Sequence, residues 1–322
     1  MAIGSGATTA RAYSHSGYAS SLSEFGVPRA LPRCGGWVLE RAIAGTSARD
    51  LMGPYPIFAC ADWSGLAADV EELGSSRVSL VLVVDPLAEV GATQLEPIFP
   101  DRIHPFKRHL IRDLDESPRL PAHHRRHIRR AASAVEVEVC AQPLQHLDDW
   151  VRLYGGLVAR HRLVGIRAFS RQAFRQQLEL PGLIAVRAER QGRTVGMTLW
   201  FEDAPNAYYH LGAYSREGYE VSASYALFVV ALERLRDRGV RWLDLGGAPG
   251  AGSQDDGLVR FKRGWASGER TARLCGRVLD RSAYAQLTRA RDSSTTWFPA
   301  YRATERDLAP APLGRHDAER SR

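Results

Sequence analysis

AYYHLGAYS at 207–215, SASYALFVVALERLRDRG at 222–239 and VRWLDLGG at 240–247 follow one another along the chain. The first and third segments are short, the first with three tyrosines and the third opening Val-Arg-Trp-Leu, and read as strands. The middle one places Ala223, Leu227, Ala231 and Leu235 four residues apart, which predicts a helix with one apolar face. Ser222 stands where an N-cap is expected, and Gly239 where a left-handed residue ends the helix. Strand, helix and strand in this order make a βαβ crossover, which is right-handed.

Working outward, GLIAVRAER (182–190) and RTVGMTLWFE (193–202) read as strands joined at Gln191-Gly192, a hairpin signal. Helices are expected near 146–161 and 170–180. In the first half, strands are expected near 36–43, 77–85, 104–113 and 135–142, with helices near 63–74 and after Pro121. Residues 1–30, rich in Ser, Gly and Ala, are expected to be disordered, and 304–322 to form a polar tail. The alternation runs twice, so two α/β units are expected at 31–142 and 143–303, the second carrying the chemistry.

Composition narrows the class. With 322 residues and 44% hydrophobic content the chain can fill one large core or two ordinary ones. No apolar run reaches about 18 residues, so no membrane-spanning helix is expected. The start lacks the apolar region of a secretory signal, and a cytoplasmic protein is expected. Cys34, Cys60, Cys140 and Cys275 form no C-x-x-C pair, which speaks against a disulfide framework or zinc knuckle. The balance of 43 basic against 36 acidic residues gives +7 and favours anionic partners. Lysine occurs only at Lys107 and Lys262. His123 and His127 have zinc-compatible spacing, but no third ligand accompanies them, so no metal is expected. No nucleic-acid-reading signature is present, and sequence-specific DNA binding is not expected.

The order of antiparallel strands followed by one βαβ unit resembles that of the GNAT acyltransferase superfamily. The run YYHLGAYS, a helix, WLDLGGAPG, a loop and GLVRFKRGW (257–265) resembles the C-terminal half of the Fem-type (FemABX-like) peptidyl- and aminoacyltransferases. LPAHHRRHIRRA (120–131) and LDDWVRLYGGLVARH (147–161) resemble helices of the same group. The likeness spans about 55–280, and G-L-x-x-F-K-x-G-[FW] is its most specific element. It implies an α/β (α+β) fold of two tandem GNAT-like units, each a mixed, mostly antiparallel sheet with flanking helices. It also implies transfer of an acyl or aminoacyl group, from acyl-CoA or aminoacyl-tRNA as co-substrate, to an amine. No tightly bound cofactor is implied. The acceptor would be an amine-bearing glycan, nucleotide- or lipid-linked, in envelope or polysaccharide synthesis. The alternative is a catalytically inactive binding or scaffold protein of a glycan assembly system; RNA binding through the basic helix is a third, weaker option.

Amide formation from an activated ester needs a neutral amine, a carbonyl within reach and a positive group for the tetrahedral oxyanion. No enzyme nucleophile is required, in agreement with the lack of a G-x-S-x-G elbow. Lys262 suits the oxyanion or the phosphate end of a donor, and the resemblance puts Lys262 and Phe261 at the transferase centre; otherwise Lys262 pairs with Asp255 or Asp256. Residues 246–256, beginning with Gly246 and Gly247, would then form a lid, with Trp265 and Tyr209 lining the substrate. Strand alternation puts Asp244 and Trp242 opposite Leu243 and Leu245. Asp244 either accepts the amine proton or fixes the Gly246-Gly247 turn. His210 is either a base or a hydrogen-bonded core residue. Arg125 and Arg129 share a helix face, which either binds phosphates and carboxylates or is simply solvated. In acetyl-CoA-using GNAT enzymes a loop of the form [QR]-x-x-G-x-[GA] precedes this helix; SREGYEVSAS (215–224) departs from it, which puts CoA in doubt.

Overall fold

A computed structural model describes residues 12–117, 119–247, 257–289 and 297–303. Its strands are β1 (Val27–Leu31), β2 (Gly36–Ala42), β3 (Arg49–Met52), β4 (Ser79–Val84), β5 (Arg102–Asp113), β6 (Glu136–Val139), β7 (Leu183–Arg190), β8 (Arg193–Asp203), β9 (Asn206–Tyr214), β10 (Trp242–Gly247) and β11 (Gly268–Val278). The helices are α1 (Ser16–Ser21), α2 (Leu66–Glu72), α3 (Ala92–Leu95), α4 (Ala122–Ala132), α5 (Leu147–His161), α6 (Arg171–Leu178), α7 (Arg216–Glu220), α8 (Ala223–Asp237), α9 (Gly257–Arg263) and α10 (Arg281–Thr288).

All eleven strands hydrogen-bond into one sheet in the order β1-β2-β3-β4-β11-β5-β10-β9-β8-β7-β6. Only β3–β4 and β9–β10 are parallel, so the fold is mixed α/β with a mostly antiparallel sheet and flanking helices. The β9–α8–β10 crossover lies where the sequence predicts it. The Gln191-Gly192 hairpin also forms, with both residues at positive φ, 51° and 73°. Gly239 ends α8 at φ 78°. Ser222 does not cap α8 with its side chain: it is itself left-handed and its hydroxyl turns to His127 Nδ1 at 2.9 Å.

Residues 12–30, expected to be disordered, are built into the fold. Tyr13, Tyr18 and Leu22 are buried among α6, β8 and β9 because the segment has enough large apolar side chains to fill that face. Strand pairing does not follow the expected division at residue 142. β6 pairs with β7, and β11, from the far end of the chain, lies between β4 and β5. The polar tail lies outside the described residues.

Two apolar layers sandwich the β9–β10 region. On one face, Trp150, Phe174, Phe201 and Tyr208 pack under α5, α6 and the N-terminal segment. On the other, Leu243, Leu245, Phe228 and Trp200 pack under α8, α4 and α9. Burial of each such large side chain contributes about 2–3 kcal/mol. Among the described residues no helix is long and apolar enough to cross a membrane.

Candidate functional site

β9 and β10 run parallel and in register from Trp242 opposite Asn206 to Asp244 opposite Tyr208. There the ladder stops, although β10 continues to Gly247 and β9 to Tyr214. The strands thus part, and backbone groups beyond the last pair face a gap. Lys262, on α9, points into it. Its ammonium lies 3.4 Å from the Gly247 carbonyl, to which it donates, and 5.5 Å from the centre of the Tyr209 ring. A Cβ on Gly246 would sit 3.1 Å from Lys262 Nζ, so this position, at φ 78°, needs glycine for its backbone and has little room for a side chain. Lys262 is only 7% exposed, a rare burial for a lysine, and it is held against carbonyl and ring rather than on the surface.

The frame that aims Lys262 explains most of the GLVRFKRGW motif. Phe261 packs edge-on to Phe228 at 4.7 Å and Tyr225 at 4.9 Å, and Trp265 lies 5.4 Å from Phe228. Their rings anchor α9 to α8. His124, on α4, completes the anchor. Its ring is fully buried, stacks on Phe261, and its Nε2–H donates to the Phe261 carbonyl at 2.9 Å. That bond leaves Nδ1 as acceptor for His123 Nε2 at 2.7 Å. Burial holds the His124 pKa below the usual imidazole value. The ring fits only because residue 264 is glycine: a Cβ there would meet His124 at 2.0 Å.

The other face of the sheet holds a second polar cluster, and here the predicted set divides. His210 alternates with Tyr209 and points away from Lys262, among Tyr13, Tyr18 and Phe201. Its Nδ1 meets Tyr13 Oη at 3.1 Å and its Nε2 meets Gln177 Oε1 at 3.3 Å. The amide oxygen can only accept, so His210 carries its proton on Nε2 and takes the Tyr13 hydroxyl on Nδ1. Burial pushes its pKa down to about 3. His210 is thus the hydrogen-bonded core residue of the two alternatives, not a base near neutrality.

Asp244 lies on this face too. Its Oδ1 accepts from the Gly246 amide at 2.6 Å, fixing the turn, while Oδ2 accepts from His109 Nδ1 at 2.7 Å. Beside them Asp85 takes the Tyr208 hydroxyl at 2.5 Å and the Leu87 amide at 2.8 Å, and burial raises its pKa to about 6. The sequence reading missed His109 and Asp85. No local motif marks them, because β5 and β4 reach β9 and β10 only through the sheet order.

On α4 the arginines at 125, 126, 129 and 130 are all exposed, with no acid in the helix. Arg125 donates to the Leu120 carbonyl at 2.5 Å, and Arg129, one turn further on, shares its helix face. His127 stacks on Tyr225 in the first turn of α8 at 4.8 Å, so imidazole covers the approach to that helix end. α7, unforeseen, occupies the stretch before it, capped by Ser215. Beyond Gly247 the expected lid, 248–256, lies outside the described residues. Among the described residues one group could offer a metal three ligands, Glu138, Cys140 and His146, with their atoms within 4.8 Å of one another. It sits at the far edge of the sheet on β6, and Glu138 already accepts from Arg187 at 2.8 Å.

The comparisons with known proteins agree with this geometry. The family described as acetyltransferase (GNAT) domain matches residues 119–263, which contain α4, β9, α8, β10 and Lys262. No curated protein matches the sequence. Among solved structures, FemX superposes with a TM-score of 0.65 at 12% identity, over 84% of this chain and 93% of that one. The C-terminal domain of a putative lysylphosphatidylglycerol synthetase from Agrobacterium fabrum gives 0.57 at 16%, over 83% and 88%. L-PGS from Bacillus licheniformis gives 0.51 at 15%, over 84% and 93%. These likenesses are of fold. Residues 119–263 thus resemble an acetyltransferase (GNAT) domain, and the chain shares its fold with FemX.

Proposed function

We propose that the protein transfers an aminoacyl group from aminoacyl-tRNA to an amine by direct attack, with Lys262 stabilising the oxyanion. The observation that carries this reading is the buried Lys262 ammonium held where β9 and β10 part. The amine nitrogen attacks the ester carbonyl, charge collects on the carbonyl oxygen, and the C–O bond to the ribose breaks as the amide forms. A buried cation beside that oxygen lowers the barrier because it needs no reorganisation. Lysine bears its charge as a point with movable donors, so it can leave the Gly247 carbonyl for the oxyanion.

Two features favour tRNA over CoA as donor. α7 fills the turn before α8 and His127 covers the first turn of that helix, where a pyrophosphate would otherwise find backbone N–H groups. The exposed arginines of α4 supply a row for a polyanion on the same side of the molecule. The acceptor we propose is an amine on a nucleotide- or lipid-linked envelope precursor; a neighbour named for lysylphosphatidylglycerol synthesis draws the reading towards the envelope.

Titration of the purified protein with acetyl-CoA, uncharged tRNA and charged tRNA tests the donor. Binding that requires the aminoacyl group, with transfer lost about 10²-fold or more in Lys262→Ala, is expected. Saturable acetyl-CoA binding without preference for charged tRNA refutes the donor assignment. Full transfer by Lys262→Ala refutes the role of the lysine.

A further inference from the structure

His109 and Asp244 are 135 residues apart in sequence and 2.7 Å apart in the fold. The antiparallel register of β5 and β10 brings them to the same face, and both are buried, at 7% and 3% exposure. The carboxylate can only accept, so the His109 proton sits on Nδ1 and the lone pair is on Nε2. Asp244 is itself held by the Gly246 amide, which leaves the carboxylate little freedom to turn. Among the described residues Nε2 makes no hydrogen bond, and it is not one of the fully enclosed polar atoms left without a partner, so this edge of the ring keeps access to the space beside it. A buried imidazole with one nitrogen clamped by a carboxylate and the other unpartnered is a poised proton acceptor.

Its position fits the reaction. Gly247 touches Lys262 through its carbonyl, and a Cβ on Gly247 would lie 3.1 Å from His109 Cδ2, next to Nε2. Lysine and imidazole therefore border the end of β10 from opposite faces of the sheet. We propose that His109 is the general base of the transfer and Asp244 the positioning residue that fixes its tautomer, an inference that rests on the acyl-transfer reading above. The amine approaches on the His109 face and the carbonyl oxygen on the Lys262 face. As the N–C bond forms, Nε2 takes one N–H proton; as the C–O bond breaks, the imidazolium returns that proton to the departing ribose oxygen. Enzyme charge is unchanged over the cycle. Of the two roles left open for Asp244, one oxygen performs the second by fixing the turn, while the other orients the base instead of taking the proton itself.

The ionisable groups on the ring's face are Asp244 on β10, Asp85 beyond β4 and Arg270 on β11, the cross-strand partner of His109, with the phenols of Tyr13 and Tyr208 behind them and Lys262 across the strand. Burial raises the Asp85 pKa to about 6, so Asp85→Asn is needed as a control for its own contribution to the pH profile.

The test is amide formation, read by mass spectrometry, with charged total tRNA and with acetyl-CoA as donors and glucosamine and lysine methyl ester as amines. His109→Gln is expected to lower kcat about 10²-fold or more with KM little changed. It should also abolish an acidic limb that persists in Asp85→Asn, and added imidazole should restore part of the rate of His109→Ala. Asp244→Asn should lower kcat by reversing the tautomer. Circular dichroism and melting of each variant separate loss of fold from loss of chemistry. If a variant unfolds, Gly247→Ala, whose methyl presses on the ring edge, takes its place and should lower kcat with the fold retained. A folded His109→Gln with wild-type kcat and pH profile overturns the dyad alone. Wild-type protein inactive with both donors overturns the acyl-transfer reading and the dyad with it.

Discussion

Replacing Gly264 by alanine puts one methyl group where the His124 ring already is. The added Cβ would lie 2.0 Å from Cε1, 2.2 Å from Nε2 and 2.6 Å from Nδ1. The ring has nowhere to retreat: Phe261, Trp265, Tyr225 and His123 surround it at centroid distances of 5.9, 5.2, 5.0 and 4.4 Å. It must therefore shift and give up its bond to the Phe261 carbonyl. Overpacking of this kind costs about 1–3 kcal/mol, and a buried carbonyl left without its donor costs about 1–3 kcal/mol more. Against this, alanine restricts the unfolded chain and returns about 0.4–1 kcal/mol. The sum is a loss of about 1–5.5 kcal/mol, centred near 3. His124→Ala alone removes the same bond and leaves a cavity, at about 2–4 kcal/mol. In the double variant the new methyl enters the vacated space, so Gly264→Ala costs about 0.5 kcal/mol or less there. Urea unfolding at neutral pH of the four proteins, with a common m-value, measures the cycle. A coupling of about 2 kcal/mol or more is expected between residues in such contact. Additivity within about 0.5 kcal/mol would show that the ring does not occupy the glycine's space.

Acid sensitivity follows from two buried groups with opposite signs. His210, neutral in the fold and held at about 3, loses stability as pH falls below the unfolded imidazole value, about 2 kcal/mol between pH 7.5 and 5. Asp85, raised to about 6, is protonated more readily in the fold than in the unfolded chain, so the same change returns about 1 kcal/mol. Wild type should lose little over this range and Asp85→Asn about twice as much or more, by denaturant midpoints at the two pH values; equal losses refute the assignment. Arg125→Glu with Arg129→Glu should weaken charged-tRNA binding about tenfold or more and flatten its salt dependence, leaving the urea midpoint unmoved because both side chains are exposed. Unchanged binding would leave the row as a solvated face.

The βαβ unit was legible because its apolar spacing, its terminal glycine and its flanking strands all agree, and the hairpin because Gln191-Gly192 suits positive φ. β11 was not legible. GERTARLCGRV carries four charged residues and shows little alternation. It is a strand because β4 and β5 flank it, not because of its own pattern. β3 is only four residues long, and β1 contains Pro28, which suits an edge. At the site, alternation correctly set Asp244 apart from Leu243 and Leu245. It could not say that Lys262 and His210 approach opposite faces, because that depends on where α9 docks. Nor could any local spacing join His109 to Asp244 or His124 to Gly264, since each pair meets only through long-range packing.

The place of β11 bears on how the protein is made. β4 and β5 are synthesised early, yet the strand that separates and pairs them emerges only after residues 119–263. On the ribosome, two strand edges of the first half must wait unpaired while the second half folds. Such edges invite pairing with other nascent chains. The gap between β4 and β5 is therefore closed last, by the final strand of the sheet to be made.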